Sequence, residues 1–251
     1  NLISKKLEKY KFDIMINCSA YTNVEMAEKD YKKANCINAI SVNEISKFIK
    51  MNNKLLIHIS TDYVFDGNKD SAYLENDMTK PISKYGLSKL NGEKSIINSK
   101  SNSLIIRTSW LFSEFRENFV KKIISASNDK NFLTVVDDEI SAPTYSIDLA
   151  NFLLTICSNY TFLNSVKKTQ IFHYCNDGFV SRYEFAKKII ENLKIQCNVK
   201  PISSELFNSS VKRPKYSLLN NSKAKKIFKI NIRSWEDSLI ECINNIKKIY
   251  E

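Results

Sequence analysis

A tyrosine and a lysine stand four residues apart at Tyr85 and Lys89, in a segment that begins soon after Pro81. Residues four apart lie on one face of a helix, and proline suits a first helical position. A lysine there can stabilise tyrosinate, which matters because an unperturbed phenol, with a pKa near 10, is a reluctant participant at neutral pH. The same spacing is common in surface pairs, so the neighbouring segments must decide its meaning.

A pair of hydroxyls, Ser60 and Thr61, follows the apolar run 54–59, which has the composition of a β-strand. Ligands of open parallel sheets bind beyond the carboxyl ends of the strands, so Thr61 is placed where a substrate should lie. Reducing a ketone needs a donor to polarise the oxygen, an acid to protonate it and a hydride above the carbon. Thr61 can supply the first and Tyr85 the second. No side chain carries hydride, so this chemistry requires a bound nicotinamide.

The elements that must position these residues follow from alternating patterns along the chain. Helical spacing is seen in Val42, Ile45 and Ile49, and again in Phe185, Ile189 and Leu193. Short apolar runs between the helical patterns predict strands at 12–18, 54–60, 103–108 and 171–175. Such alternation predicts βαβ units and an α/β fold, with a parallel sheet covered by helices on both faces.

The set Thr61, Tyr85 and Lys89 resembles the catalytic triad of the extended short-chain dehydrogenases/reductases. Narrower motifs resemble one subfamily, the dTDP-4-dehydrorhamnose reductases, from about residue 10 to the end of the chain. These motifs are Asn17-Cys18-Ser19-Ala20-Tyr21-Thr22, Thr61-Asp62-Tyr63-Val64-Phe65-Asp66-Gly67, Arg107-Thr108-Ser109-Trp110, Asn118-Phe119-Val120, the block 137–144 and Arg213-Pro214.

The resemblance implies reduction of the C4 ketone of dTDP-4-dehydro-L-rhamnose to dTDP-L-rhamnose, with NADPH or NADH as hydride donor. Residues implied along the cofactor are Ser19, Ala20, Tyr21, Ser60, Tyr85 and Lys89. Residues implied near the sugar nucleotide are Thr61, Asp62, Tyr63, Tyr85, Trp110, Asn118 and Arg213. Some have a purely structural alternative, because Trp110 could fill core, Tyr63 could pack in a turn and Arg213 could be an exposed charge.

The sequence departs from the family at its start, where the family has a strand, a Gly-rich turn and a helix that binds pyrophosphate. All four glycines lie well inside the sequence, at Gly67, Gly86, Gly92 and Gly178. We therefore expect a Rossmann-type doubly wound sheet whose first βαβ unit is missing, with residues 1–11 matching the helix before the family's fourth strand. We expect a cofactor-binding domain from 1–110 and 146–176, and a smaller α/β substrate-binding lobe from 111–145 and 177–251.

Charge, hydropathy and cysteine content indicate which classes of binding partner and which location to expect. The net charge of +11 favours anionic partners such as nucleic acid or a nucleotide. The lysines are scattered along the chain and form no nucleic-acid-binding stretch, which favours solvated helix faces over a nucleic-acid partner. No apolar run reaches the roughly 18 residues of a membrane span, which predicts a cytoplasmic protein without membrane contact. The residues do not determine the oligomeric state, and a homodimer stays open. Six scattered cysteines predict buried, reduced thiols and no metal site, and the sequence carries no motif for a Mg2+ requirement.

Other functions stay open. Sugar-nucleotide 4,6-dehydratases share the tyrosine and lysine but resemble Thr-Asp-Glu where this chain has Tyr63, and epimerases are disfavoured by the blocks 107–110 and 137–144. The regulatory subunit of methionine adenosyltransferase, a binding partner, shares the stretch 63–67 but differs at 108–110. A non-catalytic remnant would also follow from the missing Gly-rich unit.

Overall fold

The computed structural model describes residues 2–207 and 209–250. Its α-helices are α1 (Leu2–Leu7), α2 (Val24–Lys29), α3 (Tyr31–Asn35), α4 (Ser41–Met51), α5 (Lys84–Ser99), α6 (Phe119–Asp129), α7 (Ser146–Ser158), α8 (Tyr160–Ser165), α9 (Arg182–Leu193), α10 (Ser222–Phe228) and α11 (Trp235–Tyr250). Its strands are β1 (Ile14–Asn17), β2 (Leu55–Thr61), β3 (Ser103–Thr108), β4 (Leu111–Phe112), β5 (Phe132–Val136), β6 (Ile140–Ser141), β7 (Thr144–Tyr145), β8 (Gln170–His173), β9 (Val180–Ser181) and β10 (Asn198–Ile202). Residues 1, 208 and 251, which fall within the ranges expected for the first helix and the substrate lobe, lie outside the described residues.

The main sheet is parallel, in the order β1-β2-β3-β8, and its strands are the four predicted from the sequence. Side chains alternate along each strand, so Leu56 and Ile105 pack under α4 and α5 while Ile57 and Leu104 pack under α7 and α10. Because both faces of the sheet are apolar, helices cover both of them. The predicted doubly wound, Rossmann-type α/β fold is thereby confirmed.

The helix that carries Tyr85 and Lys89 begins later than predicted. Ser83 caps it, its Oγ accepting from the backbone N–H of Gly86 at 3.1 Å, and the first helical residue is Lys84. A serine oxygen satisfies an N–H that has no partner within the helix, and this fixes the start more strongly than a proline. Pro81 therefore lies outside the helix, and its predicted role as the helix start is wrong.

A second apolar cluster lies beyond the sheet and is built from later parts of the chain. It contains buried side chains of α6, α9 and α11 packed on the parallel pair β5-β10. Phe185 of α9 is central, since its ring meets Phe112 and Trp235 edge-on at centroid distances of 5.6 and 5.5 Å. The short parallel pair β4-β7 follows β3 and contributes Phe112 and Tyr145 to this cluster.

The cysteines only partly match the prediction. Cys175, Cys197 and Cys242 are buried, but Cys18 and Cys36 are exposed and Cys157 is intermediate, so the prediction of six buried thiols is wrong for three of them. Cys18 follows the end of β1 and lines a cavity, which explains its exposure. All six are free. Within the described ranges, no helix has the length and apolar character to cross a membrane, and no His, Cys, Asp or Glu group is arranged to hold a metal.

Candidate active site

The three predicted catalytic residues meet at the carboxyl ends of the sheet strands. Thr61 is the last residue of β2, and α5 presents Tyr85 and Lys89 on one face. All three line a cavity of about 360 Å3, together with Thr108 at the end of β3 and Trp110 beyond it. The sequence placed these residues in separate elements, and the parallel sheet brings those elements to one edge.

A close approach between α5 and the turn after β2 sets this geometry. A Cβ at Gly86 would lie 2.2 Å from the carbonyl oxygen of Tyr63, so no larger residue fits without moving the backbone. Because the helix approaches so closely, the rings of Tyr85 and Tyr63 pack edge-to-face at 5.7 Å. Further along α5, Gly92 lies equally close to the backbone of Asn38.

Burial keeps the phenol of Tyr85 protonated. Desolvation raises its pKa well above the usual value, and the Thr61 hydroxyl, within hydrogen-bonding reach, opposes that rise only in part. Thr61 Oγ1 also donates to Asp62 Oδ1 at 3.1 Å, and Asp62 Oδ2 accepts from Ser217 Oγ at 2.6 Å. Burial raises the pKa of Asp62 to about 6. At neutral pH the site thus holds a proton donor beside a hydroxyl that a carboxylate orients.

Lys89 supplies a buried cation one helical turn after Tyr85 on α5. Its Nζ donates to the carbonyl of Ile59 at 2.7 Å and lies 3.5 Å from Nε2 of His58. Burial lowers the pKa of Lys89 to about 8, although the Glu93 carboxylate raises it, so the amine is still charged at neutral pH. His58 stays neutral, because burial and Lys89 both lower its pKa.

A Lys89→Met variant should reveal the cost of burying this amine. The folded pKa of about 8 lies below the ordinary 10.5, so between these values the unfolded chain binds more protons and stability rises with pH. The free-energy cost of burying the charged amine is complete below pH 8 and disappears as the pH approaches 10.5. The measurement is urea unfolding of wild type and Lys89→Met without cofactor. We expect the free energy of unfolding of wild type, relative to that of the variant, to rise by about 2 kcal/mol between about pH 7.5 and 10. Lys94→Met, at an exposed position of α5, should show no such drift, and a drift of the same size there would contradict the explanation.

The segment after β1 carries three of the predicted cofactor residues. Ser19 is held by Asn17, whose Oδ1 accepts from the Ser19 hydroxyl at 2.6 Å. The Tyr21 backbone exchanges hydrogen bonds with the side chain of Asn38 at 2.8 and 3.0 Å. Ala20 lines the cavity directly. These polar contacts fix a loop that faces the ends of β1 and β2.

The cavity is built to receive a polar ligand. Thr108 Oγ1 is buried in its wall and has no hydrogen-bond partner among the described residues. An unpaired buried hydroxyl costs about 1–3 kcal/mol unless a ligand satisfies it. Ser60 also lines the cavity, and its Oγ donates to Glu93 Oε1 at 2.5 Å. A nicotinamide cofactor, with its amide and ribose hydroxyls, fits these residues.

The predicted substrate residues divide between two adjoining cavities. Asp62, Tyr63 and Trp110 line the first, whereas Asn118 and Arg213 line a second cavity of about 630 Å3. Asn118 is also the N-cap of α6, since its side chain accepts from the Lys121 N–H. Arg213 forms an ion pair with Glu25 and is only 18% exposed, so it is not a free surface charge.

Comparison with known proteins identifies the family of this chain. The chain is 33% identical over 248 residues to dTDP-4-dehydrorhamnose reductase of Aggregatibacter actinomycetemcomitans, covering 95% of this chain and 83% of that protein. The family model described as the RmlD substrate binding domain matches residues 1–248. The chain belongs to the dTDP-4-dehydrorhamnose reductase family.

Solved structures of dTDP-4-dehydrorhamnose reductases share the fold. The enzyme of Bacillus anthracis, in complex with NADP, gives a TM-score of 0.89 at 32% identity and covers 97% of this chain and 84% of its own. The Clostridium acetobutylicum structure gives a TM-score of 0.91 at 33% identity, and the match covers 98% of this chain and 85% of that one. A spore coat polysaccharide biosynthesis protein of Bacillus subtilis is 34% identical, covering 92% of this chain and 79% of that protein.

Three residues of this reductase-family site were not named as site residues by the sequence analysis, although Glu139 lies in the block 137–144. Arg182 lines both cavities, and its partner Glu139 lines the second. Glu93 lies buried behind Ser60 and Lys89. The local signal for Arg182 was the capping box of Ser181 and Glu184, which marks the helix start at Arg182 but does not indicate which residues lie opposite its side chain.

Proposed function

We propose that this protein reduces the C4 ketone of dTDP-4-dehydro-L-rhamnose to dTDP-L-rhamnose with NADPH or NADH. The observation that carries the proposal is the meeting of Thr61, Tyr85 and Lys89 in one cavity at the carboxyl ends of β2 and β3. Membership of the reductase family and the NADP complex of the related Bacillus anthracis enzyme support it.

In this proposal Tyr85 is the acid. When substrate binds, the Thr61 hydroxyl turns its single proton from Asp62 to the ketone oxygen and donates a hydrogen bond to it. The proton of Tyr85 Oη moves to that oxygen as it becomes a hydroxyl. The Lys89 ammonium then stabilises the tyrosinate that remains. Burial keeps the proton on Tyr85 until the ketone oxygen gains negative charge, because desolvation raises the pKa of the phenol.

The remaining residues bind and orient. When bound, the nicotinamide cofactor supplies hydride, and the residues proposed to hold it are Ser19, Ala20, Tyr21, Ser60, Tyr85 and Lys89. The residues proposed to hold the sugar nucleotide are Thr61, Asp62, Tyr63, Tyr85, Trp110, Asn118 and Arg213. Because the two cavities share Tyr63 and Phe119, one elongated ligand can occupy both.

The division of the chain is also a proposal, with a cofactor-binding domain at 1–110 and 146–176 and a substrate lobe at 111–145 and 177–251. Within the second range, α10 packs on the sheet through Ala224 and Phe228. We further propose a cytoplasmic location, which six free cysteines suit. A homodimer stays a prediction, and a Mg2+ requirement is not part of the proposal.

The direct test is oxidation of NADPH and of NADH with dTDP-4-dehydro-L-rhamnose as substrate. The chain is assayed alone and with any coding sequence that lies upstream of it. Turnover by either form, with dTDP-L-rhamnose as product, supports the proposal. No turnover by either form, while dTDP still binds, would overturn it in favour of a binding protein.

A further inference from the structure

An arginine that the catalytic proposal does not use lies where the two cavities meet. Arg182, the first residue of α9, lines both of them, and its side chain is 18% exposed. Its guanidinium stacks on the ring of Trp110, 4.1 Å from the centroid, and lies 5.5 Å from the ring centre of Phe119. An arginine in the wall shared by two cavities can touch a ligand that passes from one to the other.

The guanidinium is held rigidly. Nε donates to Glu139 Oε2 at 2.6 Å, and the backbone N–H of Arg182 donates to the Glu139 carbonyl at 3.2 Å. The preceding residue, Ser181, forms a capping box with Glu184 and donates to Asp137 Oδ1 at 2.6 Å. A charged group fixed in advance loses little entropy when a ligand binds.

Part of this group has no partner. Within residues 2–207 and 209–250, neither Nη1 nor Nη2 of Arg182 makes a hydrogen bond, so only one of the five N–H donors of the side chain is used. Its partner Glu139 is buried, and the pair makes one direct contact rather than the two-point fork that arginine favours. The free donors are available for an anion.

We propose that Arg182 binds the diphosphate of the nucleotide-sugar substrate through its two terminal amino groups, with Trp110 and Glu139 holding the guanidinium in place. This inference rests on the proposed function. If the sugar lies beside Tyr85 in the first cavity and the nucleoside lies in the second, the diphosphate between them passes Arg182. Both terminal amino groups of Arg213 in the second cavity already donate, to Ser209 and Glu25, whereas Arg182 meets its carboxylate through Nε alone, which leaves Arg182 better placed for the anion.

The experiment measures binding of dTDP and of thymidine by calorimetry, at low and high salt, to wild type and to Arg182→Lys. Lysine keeps the charge but loses the planar fork, so we expect dTDP affinity to fall about tenfold while thymidine affinity is unchanged. The KM for the sugar nucleotide should rise more than kcat falls. Arg116→Lys is the matched control, because Arg116 is exposed and lines neither cavity.

A second variant protects the test against misfolding. Arg182→Met combined with Glu139→Gln removes both charges together, so no carboxylate is left buried and unpaired. We expect it to lose more than tenfold in dTDP affinity and most of the salt dependence, again without effect on thymidine.

The outcomes separate this inference from the proposed function. An equal loss for dTDP and thymidine would indicate a purely structural role and overturn the inference, as would unchanged dTDP binding in both variants. In either case, turnover by wild type leaves the proposed function intact. If wild type binds no dTDP, the result contradicts both the role of Arg182 and the proposed function.

Discussion

Replacing Tyr85 with phenylalanine should reduce turnover of dTDP-4-dehydro-L-rhamnose about a thousandfold, the scale expected for loss of a general acid. Binding of dTDP and of cofactor should stay within about twofold, because the ring keeps its edge-to-face packing on Tyr63 at 5.7 Å. The missing hydroxyl removes the only proposed proton donor to the ketone oxygen. The effect should therefore appear in kcat rather than in KM.

The measurement is steady-state NADPH oxidation together with dTDP calorimetry on the same preparations. Tyr160→Phe provides the matched control, since Tyr160 is 76% exposed on α8 and should be replaced without consequence. Wild-type turnover by Tyr85→Phe would refute the assignment of Tyr85 as the acid.

Replacing Glu93 with alanine should lower the free energy of unfolding by about 3–5 kcal/mol, because it leaves a buried cation unpaired. Arg107 Nε and Nη2 donate to the two Glu93 oxygens at 3.0 and 2.7 Å, and both side chains are at most 3% exposed. The Ser60 hydroxyl would lose its acceptor as well. This pair ties α5 to β3 directly beneath the catalytic residues.

Urea unfolding at neutral pH measures this effect. Glu44→Ala on α4 is the control, since its partner Lys47 is 58% exposed and such a surface pair contributes at most about 1 kcal/mol. Combining Glu93→Ala with Arg107→Met should recover part of the lost stability. A single-variant loss no larger than that of Glu44→Ala would show that the buried pair contributes little.

Much of the architecture was readable from local patterns. The strands 54–60 and 103–108 were predicted within one residue of β2 and β3, because β-branched and apolar runs bounded by polar residues define buried strands. The i, i+4 spacing of Tyr85 and Lys89 fixed their common face once the segment was helical. Thr61 followed from the rule that ligands bind at strand carboxyl ends.

The sequence by itself therefore determined the alternation of strands and helices, the catalytic spacing and the family resemblance. Only the tertiary structure decided the 2.2 Å approach at Gly86, the buried pair of Glu93 and Arg107, and the contact of Asp62 with Ser217, 155 residues away. It also placed Arg182 against Trp110 between two cavities. Sequence periodicity constrains neighbours a few residues apart, whereas these contacts depend on how helices and loops from distant parts of the chain pack over the edge of the sheet.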